Sequence, residues 1–110
     1  MTIHITSRHF KAHETIHSYA EQAVTDLSKY YDGIIKADVI LSFEKSRKSV
    51  KLAEVNVGVY GAMLSGRARS EDFLKSIDQA CAKVLSQLIK YKDKLHAKNR
   101  TIVRTVREKA

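Results

Sequence analysis

The chain has 110 residues, with 20 Lys plus Arg against 12 Asp plus Glu, a net charge of +8 and a pI near 9.7. This length is that of one domain. The single cysteine, Cys81, excludes a disulfide framework or a multi-cysteine zinc site, and no apolar run approaches the roughly 20 residues of a membrane helix. The start, MTIHITSRHF, lacks the apolar stretch of a secretory signal, so a cytoplasmic protein is expected. A pI this high is the electrostatic footprint of a polyanion binder. Residues 90–110 hold eight Lys or Arg and two acids, six of the eight net charges. The plain alternative is a solvated basic tail that confers solubility.

Residues 2–8, TIHITSR, alternate apolar Ile3 and Ile5 with polar neighbours, which predicts a short strand with one buried face. From Glu14 the period changes. Ile16, Ala20, Ala23, Val24, Leu27, Tyr30 and Tyr31 form one stripe of an amphipathic helix, which Asp32-Gly33 is expected to end with a left-handed glycine cap. Two alternating runs follow, one with Ile35, Ala37, Val39, Leu41 and Phe43, the other with Ala53, Val55, Val57 and Val59. Joined by the polar segment Glu44 to Ser49, they predict a hairpin. After Gly61, Ala62, Leu64, Gly66 and Ala68 alternate with Met63, Ser65, Arg67 and Arg69, a fourth strand with both arginines turned from the core. Ser70 is the expected cap of a last helix, with Glu71 and Asp72 in its first turn. Its apolar stripe runs from Phe73 through Ile77, Cys81, Val84 and Leu88 to Leu95, and the helix is expected to end near Asn99. The order β-α-β-β-β-α, with one apolar sheet face and two one-sided helices, predicts a two-layer α+β sandwich with both helices on the same face of a four-stranded sheet. Residues 1–99 form the domain and 100–110 a basic tail. The outer sheet face meets solvent, which suits antiparallel strands.

Within the last helix, Lys75, Gln79, Lys83, Gln87, Lys90 and Lys94 fall on one stripe. Ordinary wet helix faces mix signs, whereas lysines along one line track a phosphate backbone. Arg67 and Arg69 share the outer sheet face, within reach of Arg8. Arg47 and Lys48, in the hairpin turn, read as solvated. His13 and His17 are four apart, but the chain has no metal box, so no metal is expected. Cys81 lies on the apolar stripe and reads as core. Tyr30, Tyr31 and Tyr91 read as core or core edge, and Tyr19 and Tyr60 as exposed. No phosphate loop, dinucleotide fingerprint or nucleophile elbow occurs, so neither catalysis nor a cofactor nor a small-molecule substrate is expected.

The strings ITSR (Ile5–Arg8), LSKYYDGI (Leu27–Ile34), LSFEK (Leu41–Lys45), SEDFLKSID (Ser70–Asp78) and KVLSQLIKYKDKL (Lys83–Leu95), in this order and spacing, resemble the ribosome hibernation-promoting factor and ribosome-associated inhibitor family, also called protein Y or sigma modulation proteins. The resemblance covers about residues 1–98. It implies a fold similar to a double-stranded-RNA-binding domain with an extra leading strand. It also implies a non-catalytic protein, monomeric off the ribosome, that contacts small-subunit rRNA in the mRNA and tRNA channel and silences idle ribosomes in stationary phase or stress. Arg8, Lys29, Lys83, Gln87, Lys90 and Lys94 fall on basic or polar positions of the family's contact surface, and Arg69 near a basic fourth-strand position of some members. The chain departs from the pattern at His17, Ala23 and Asp26 in the first helix and at Ser86 in the second, where family members often carry basic residues. Ending at Ala110, it resembles a short form or the N-terminal domain of a long one, and the basic tail leans toward the hibernation-promoting type. The competing reading is a general double-stranded RNA or DNA binder without ribosome specificity.

Overall fold

The computed structural model describes residues 1–8, 10–44 and 50–109, with side chains through Lys94. Arg47 and Lys48 lie outside the described residues. The elements are β1 (Thr2–Ser7), α1 (Glu14–Ser28), β2 (Ile34–Phe43), β3 (Lys51–Val59), β4 (Ala62–Ser70) and α2 (Phe73–Lys109). The sheet order is β1-β2-β3-β4, with β2-β3 and β3-β4 antiparallel. The first pair differs from an all-antiparallel sheet: β1 runs parallel to β2, because α1 carries the chain back to the starting end before β2 begins.

The alternation sorts residues by face, except at the start of β2, where a register shift between Ile34 and Lys36 buries Ile34 and leaves Ile35, expected inside, exposed. Ala37, Val39 and Leu41 pair with Val57, Val55 and Ala53, and these in turn with Leu64, Gly66 and Ala68. This inner face joins Ala20, Val24 and Leu27 of α1 and Ile77, Ala80, Val84 and Leu88 of α2 in one core. Both helices therefore cover the same side of the sheet, as expected. Phe10, Phe43 and Phe73 close one end, with ring centroids 4.8–5.4 Å apart. Gly66 sets how closely α2 lies on β4. A Cβ there would come within 2.3 Å of the Ala80 carbonyl oxygen, so only glycine permits this approach.

Several local expectations need correction. Helix α1 stops at Ser28 with Lys29 as a right-handed cap, and Gly33 does not supply a left-handed one. Among the described residues Gly61, in the β3–β4 turn, is the glycine with positive φ. Gly33 instead makes room for the Tyr31 ring, which would lie 2.5 Å from a Cβ. Because the helix ends early, Tyr30 leaves the apolar stripe and is exposed. Tyr19 is half-buried and donates to Asp78 Oδ1 at 2.6 Å, tying α1 to α2. The hydrogen bond to Asp78, with burial second, raises the Tyr19 pKa.

Asp72, not Ser70, caps α2, its Oδ1 accepting from Leu74 N–H at 3.0 Å. Ser70 is the last residue of β4, and its hydroxyl contacts Ser76 Oγ at 2.8 Å. Ser76 is fully buried and donates to the Lys51 carbonyl at 2.7 Å. The helix also continues past Asn99 to Lys109, since no glycine or proline follows Gly66 to stop it. At 1.5 Å per residue it is about 55 Å long. Among the described residues no helix is long and apolar enough to cross a membrane.

Candidate nucleic-acid interface

The basic stripe of α2 runs beside the edge strand β4. Lys75 and Lys94 are about 28 Å apart along the helix axis. The structure divides the stripe. Gln87 is half-buried and acts as a surrogate strand: Ser65 N–H donates to its Oε1 at 3.1 Å, and its Nε2 donates to the Ser65 carbonyl. One turn earlier, Lys83 Nζ donates to the Arg67 carbonyl. An edge strand presents unpaired N–H and C=O groups toward solvent, and these two side chains occupy that row. By contrast, Lys75, Lys90 and Lys94 are exposed and make no hydrogen bond or ion pair among the described residues. Gln79, one turn before Lys83, is exposed.

Arg67 and Arg69 stand on the outer sheet face, as expected, with side chains 80% and 73% exposed. The registers build two rows across this face. Thr6, Ile40, Glu54 and Arg67 form one, and Ser42, Leu52 and Arg69 the next, with Arg8 following Thr6 on the same parity of β1. The Arg8 N–H donates to the Leu41 carbonyl at 2.9 Å, which fixes that residue at the end of β1. Apart from Thr6, these residues line a cavity of about 550 Å³ that also takes in Gln79 and Lys83 around the β4 edge. The structure thus gathers Arg8, Arg67, Arg69 and Lys83 at one place. Arg67 pairs with Glu54 at 3.4 Å, and Arg69 with Glu44 at 3.9 Å. Exposed pairs of this kind contribute little energy and leave the guanidinium groups open to other anions.

Lys29 does not join this group. It caps α1 at the end of the molecule where β2 begins, about 26 Å along the strand from Ser42 at 3.3 Å per residue. It pairs with Asp26 at 3.2 Å. Gln22 first, and Lys29 second, hold the Asp26 carboxyl below its usual range. Lys92 reaches the same end, donating to the Tyr30 carbonyl at 3.2 Å. Lys29 therefore lies at the far end of α2, on the side of Lys92.

Sequence reasoning missed the floor of the cavity. Ile40 and Leu52 are apolar residues on the polar parity of their strands, and both are half-buried. That break in alternation was the available signal. His13 caps α1, its Nδ1 accepting from Thr15 N–H at 3.4 Å, while His17 is exposed. Among the described residues no group of three His, Cys, Asp or Glu side chains could hold a metal ion. Cys81 is buried in the core, which pushes its thiol up to about 11.

A two-layer α+β domain with a lysine-rich stripe beside its edge strand is thus in place. The chain belongs to the sigma 54 modulation protein / S30EA ribosomal protein family, whose model matches residues 3–96. It is 29% identical over 94 residues to the ribosome hibernation promoting factor of Azotobacter vinelandii, covering 86% of this chain and 85% of that one. Its identity to the factor of the same name from Escherichia coli K12 is 27% over 95 residues, covering 86% and 97%. Among solved structures it resembles a ribosomal subunit interface protein from Coxiella burnetii, with a TM-score of 0.76 and 25% identity, covering 84% of this chain and 99% of that one. The N-terminal domain of Thermus thermophilus protein Y is also similar, with a TM-score of 0.72 and 26% identity, covering 83% and 99%.

Proposed function

We propose that this protein is a ribosome hibernation factor. It binds the small ribosomal subunit in the cytoplasm, contacts its rRNA and occupies the channel that mRNA and tRNA use. It acts by occupancy and not by catalysis. The observation that carries this reading is the exposed row Lys75, Lys90 and Lys94, without a hydrogen-bond or ion-pair partner among the described residues, on a chain of this family. Such a row neutralises successive phosphates and releases their counterions, which makes binding favourable and strongly salt-dependent. The cavity arginines Arg8, Arg67 and Arg69 add charge across the outer sheet face, and Lys29 adds it at the far end. Gln87 and Lys83 present their remaining polar surface from positions fixed by their bonds to β4. A rigid basic body of this kind competes with RNA for an RNA-lined cleft.

The test is sedimentation of the purified protein with empty ribosomes on a sucrose gradient, with mRNA and initiator tRNA as competitors. We expect about one copy per ribosome, displaced by the competitors. Equal binding to any RNA duplex, without displacement, would replace this reading with that of a general duplex binder.

A further inference from the structure

The helix stripe and the outer sheet face differ in what surrounds their charges. On α2, Lys75, Lys90 and Lys94 are exposed and have no partner among the described residues. On the sheet, the arginines ring a concavity of about 550 Å³ whose floor is made by Ile40 and Leu52, with Ser42 and the Glu54 carboxylate beside them. That volume lies within the range of pockets that enclose a small organic ligand.

We propose that this cavity binds an unstacked nucleotide of single-stranded RNA, with the base on Ile40 and Leu52 and the phosphates on Arg8, Arg67 and Arg69. This rests on the reading of the chain as an RNA-contacting protein and specifies the RNA that its sheet side takes. Three features select that ligand. Four cations line the cavity against one carboxylate, Glu54, so an anion is favoured. Guanidinium groups bind phosphate through a two-pronged fork and stack on base planes, which an ammonium does not. Finally, the out-of-phase Ile40 and Leu52 provide an apolar surface that a duplex, with its bases stacked inside, has nothing to cover. A splayed base covers it and gains from leaving water. Arg8 and Arg69 stand three strand spacings apart, about 14 Å, so the two rims engage different phosphates along one strand.

The experiment is an amide NMR titration of the full chain with a six-nucleotide oligouridine, with inorganic phosphate and with a short RNA duplex. The proposal expects saturating shifts at Ile40, Ser42, Leu52, Arg67 and Arg69 with the oligouridine. It expects much smaller ones there with phosphate or duplex at equal phosphate concentration. Arg67→Gln with Arg69→Gln should weaken oligouridine binding tenfold or more while the thermal midpoint stays within a few degrees. Equal shifts with inorganic phosphate would mean an adventitious ion only and would overturn the proposal. So would shifts confined to α2, or no shifts at all. Wild-type sedimentation with ribosomes reports separately on the proposed function: if it persists while the cavity takes no oligouridine, only the sheet-side inference is lost.

Discussion

The two halves of the basic stripe on α2 carry the same kinds of residue and do different things. The half containing Lys83 and Gln87 is tied to the backbone of β4. The half containing Lys90 and Lys94 has no partner among the described residues. Both halves continue one polar line at helical spacing. What separates them is the distance to β4, and Gly66 sets that distance by letting the helix backbone come down on the strand. A polar side chain beside an edge strand is therefore partly a strand partner, and its substitution perturbs folding as well as any binding. One beyond the edge reports on binding alone.

Breaking the close approach should have the largest effect. Gly66→Val places a side chain against the Ala80 carbonyl and the Lys83 Cβ. We expect a loss of about 3 kcal/mol or more, as in severe overpacking, read by denaturant unfolding, with both halves of the stripe losing function together. An unfolding midpoint equal to wild type would show that α2 does not depend on this contact.

Next comes the free half. Lys90→Ala with Lys94→Ala should leave the thermal midpoint unchanged and weaken ribosome association. The slope of log affinity against log salt should fall by about two, one for each phosphate contact removed. An unchanged slope would take these lysines out of the interface.

The tied half should respond in the opposite sense. Gln87→Ala removes both bonds to Ser65 and should cost about 1 kcal/mol, with self-association rising as the β4 edge is uncovered. Gln87→Glu keeps an acceptor for the Ser65 N–H but loses the donor to its carbonyl, so it should be no more stable than the alanine variant. Ultracentrifugation together with thermal unfolding decides this. Full stability in both variants would mean that water replaces the side chain without cost.

The last effect is confined to alkaline pH and belongs to the buried side of the same helix. Burial first, then Asp78 and Asp26, raise the Cys81 pKa from 9.0 to about 11. The folded state thus holds its proton more tightly than the unfolded chain does. The contribution is fully present below pH 9 and is lost as pH rises toward 11. Cys81→Ala should flatten the stability profile over that window, measured by denaturant midpoint. A profile as steep as wild type would assign the alkaline loss to other groups.

Periodicity by itself determined much of this molecule. Alternation placed Val39, Val55, Val57 and Leu64 on one face, and helical spacing placed Ala20, Val24, Ile77 and Leu88 against them. The order of elements and the two-layer arrangement followed, as did the orientation of Arg67 and Arg69 and the line from Lys75 to Lys94. Each is a property of neighbours within a few residues, which local geometry controls. Tertiary structure decided the rest. The parallel pairing of β1, the bonds from Gln87 and Lys83 to β4, and the need for Gly66 depend on segments distant in the chain. The same holds for the cavity that joins Arg8 to Arg69 over Ile40 and Leu52. Which backbone group stands opposite a side chain is set by register and by the approach of layers, and no single segment carries that information.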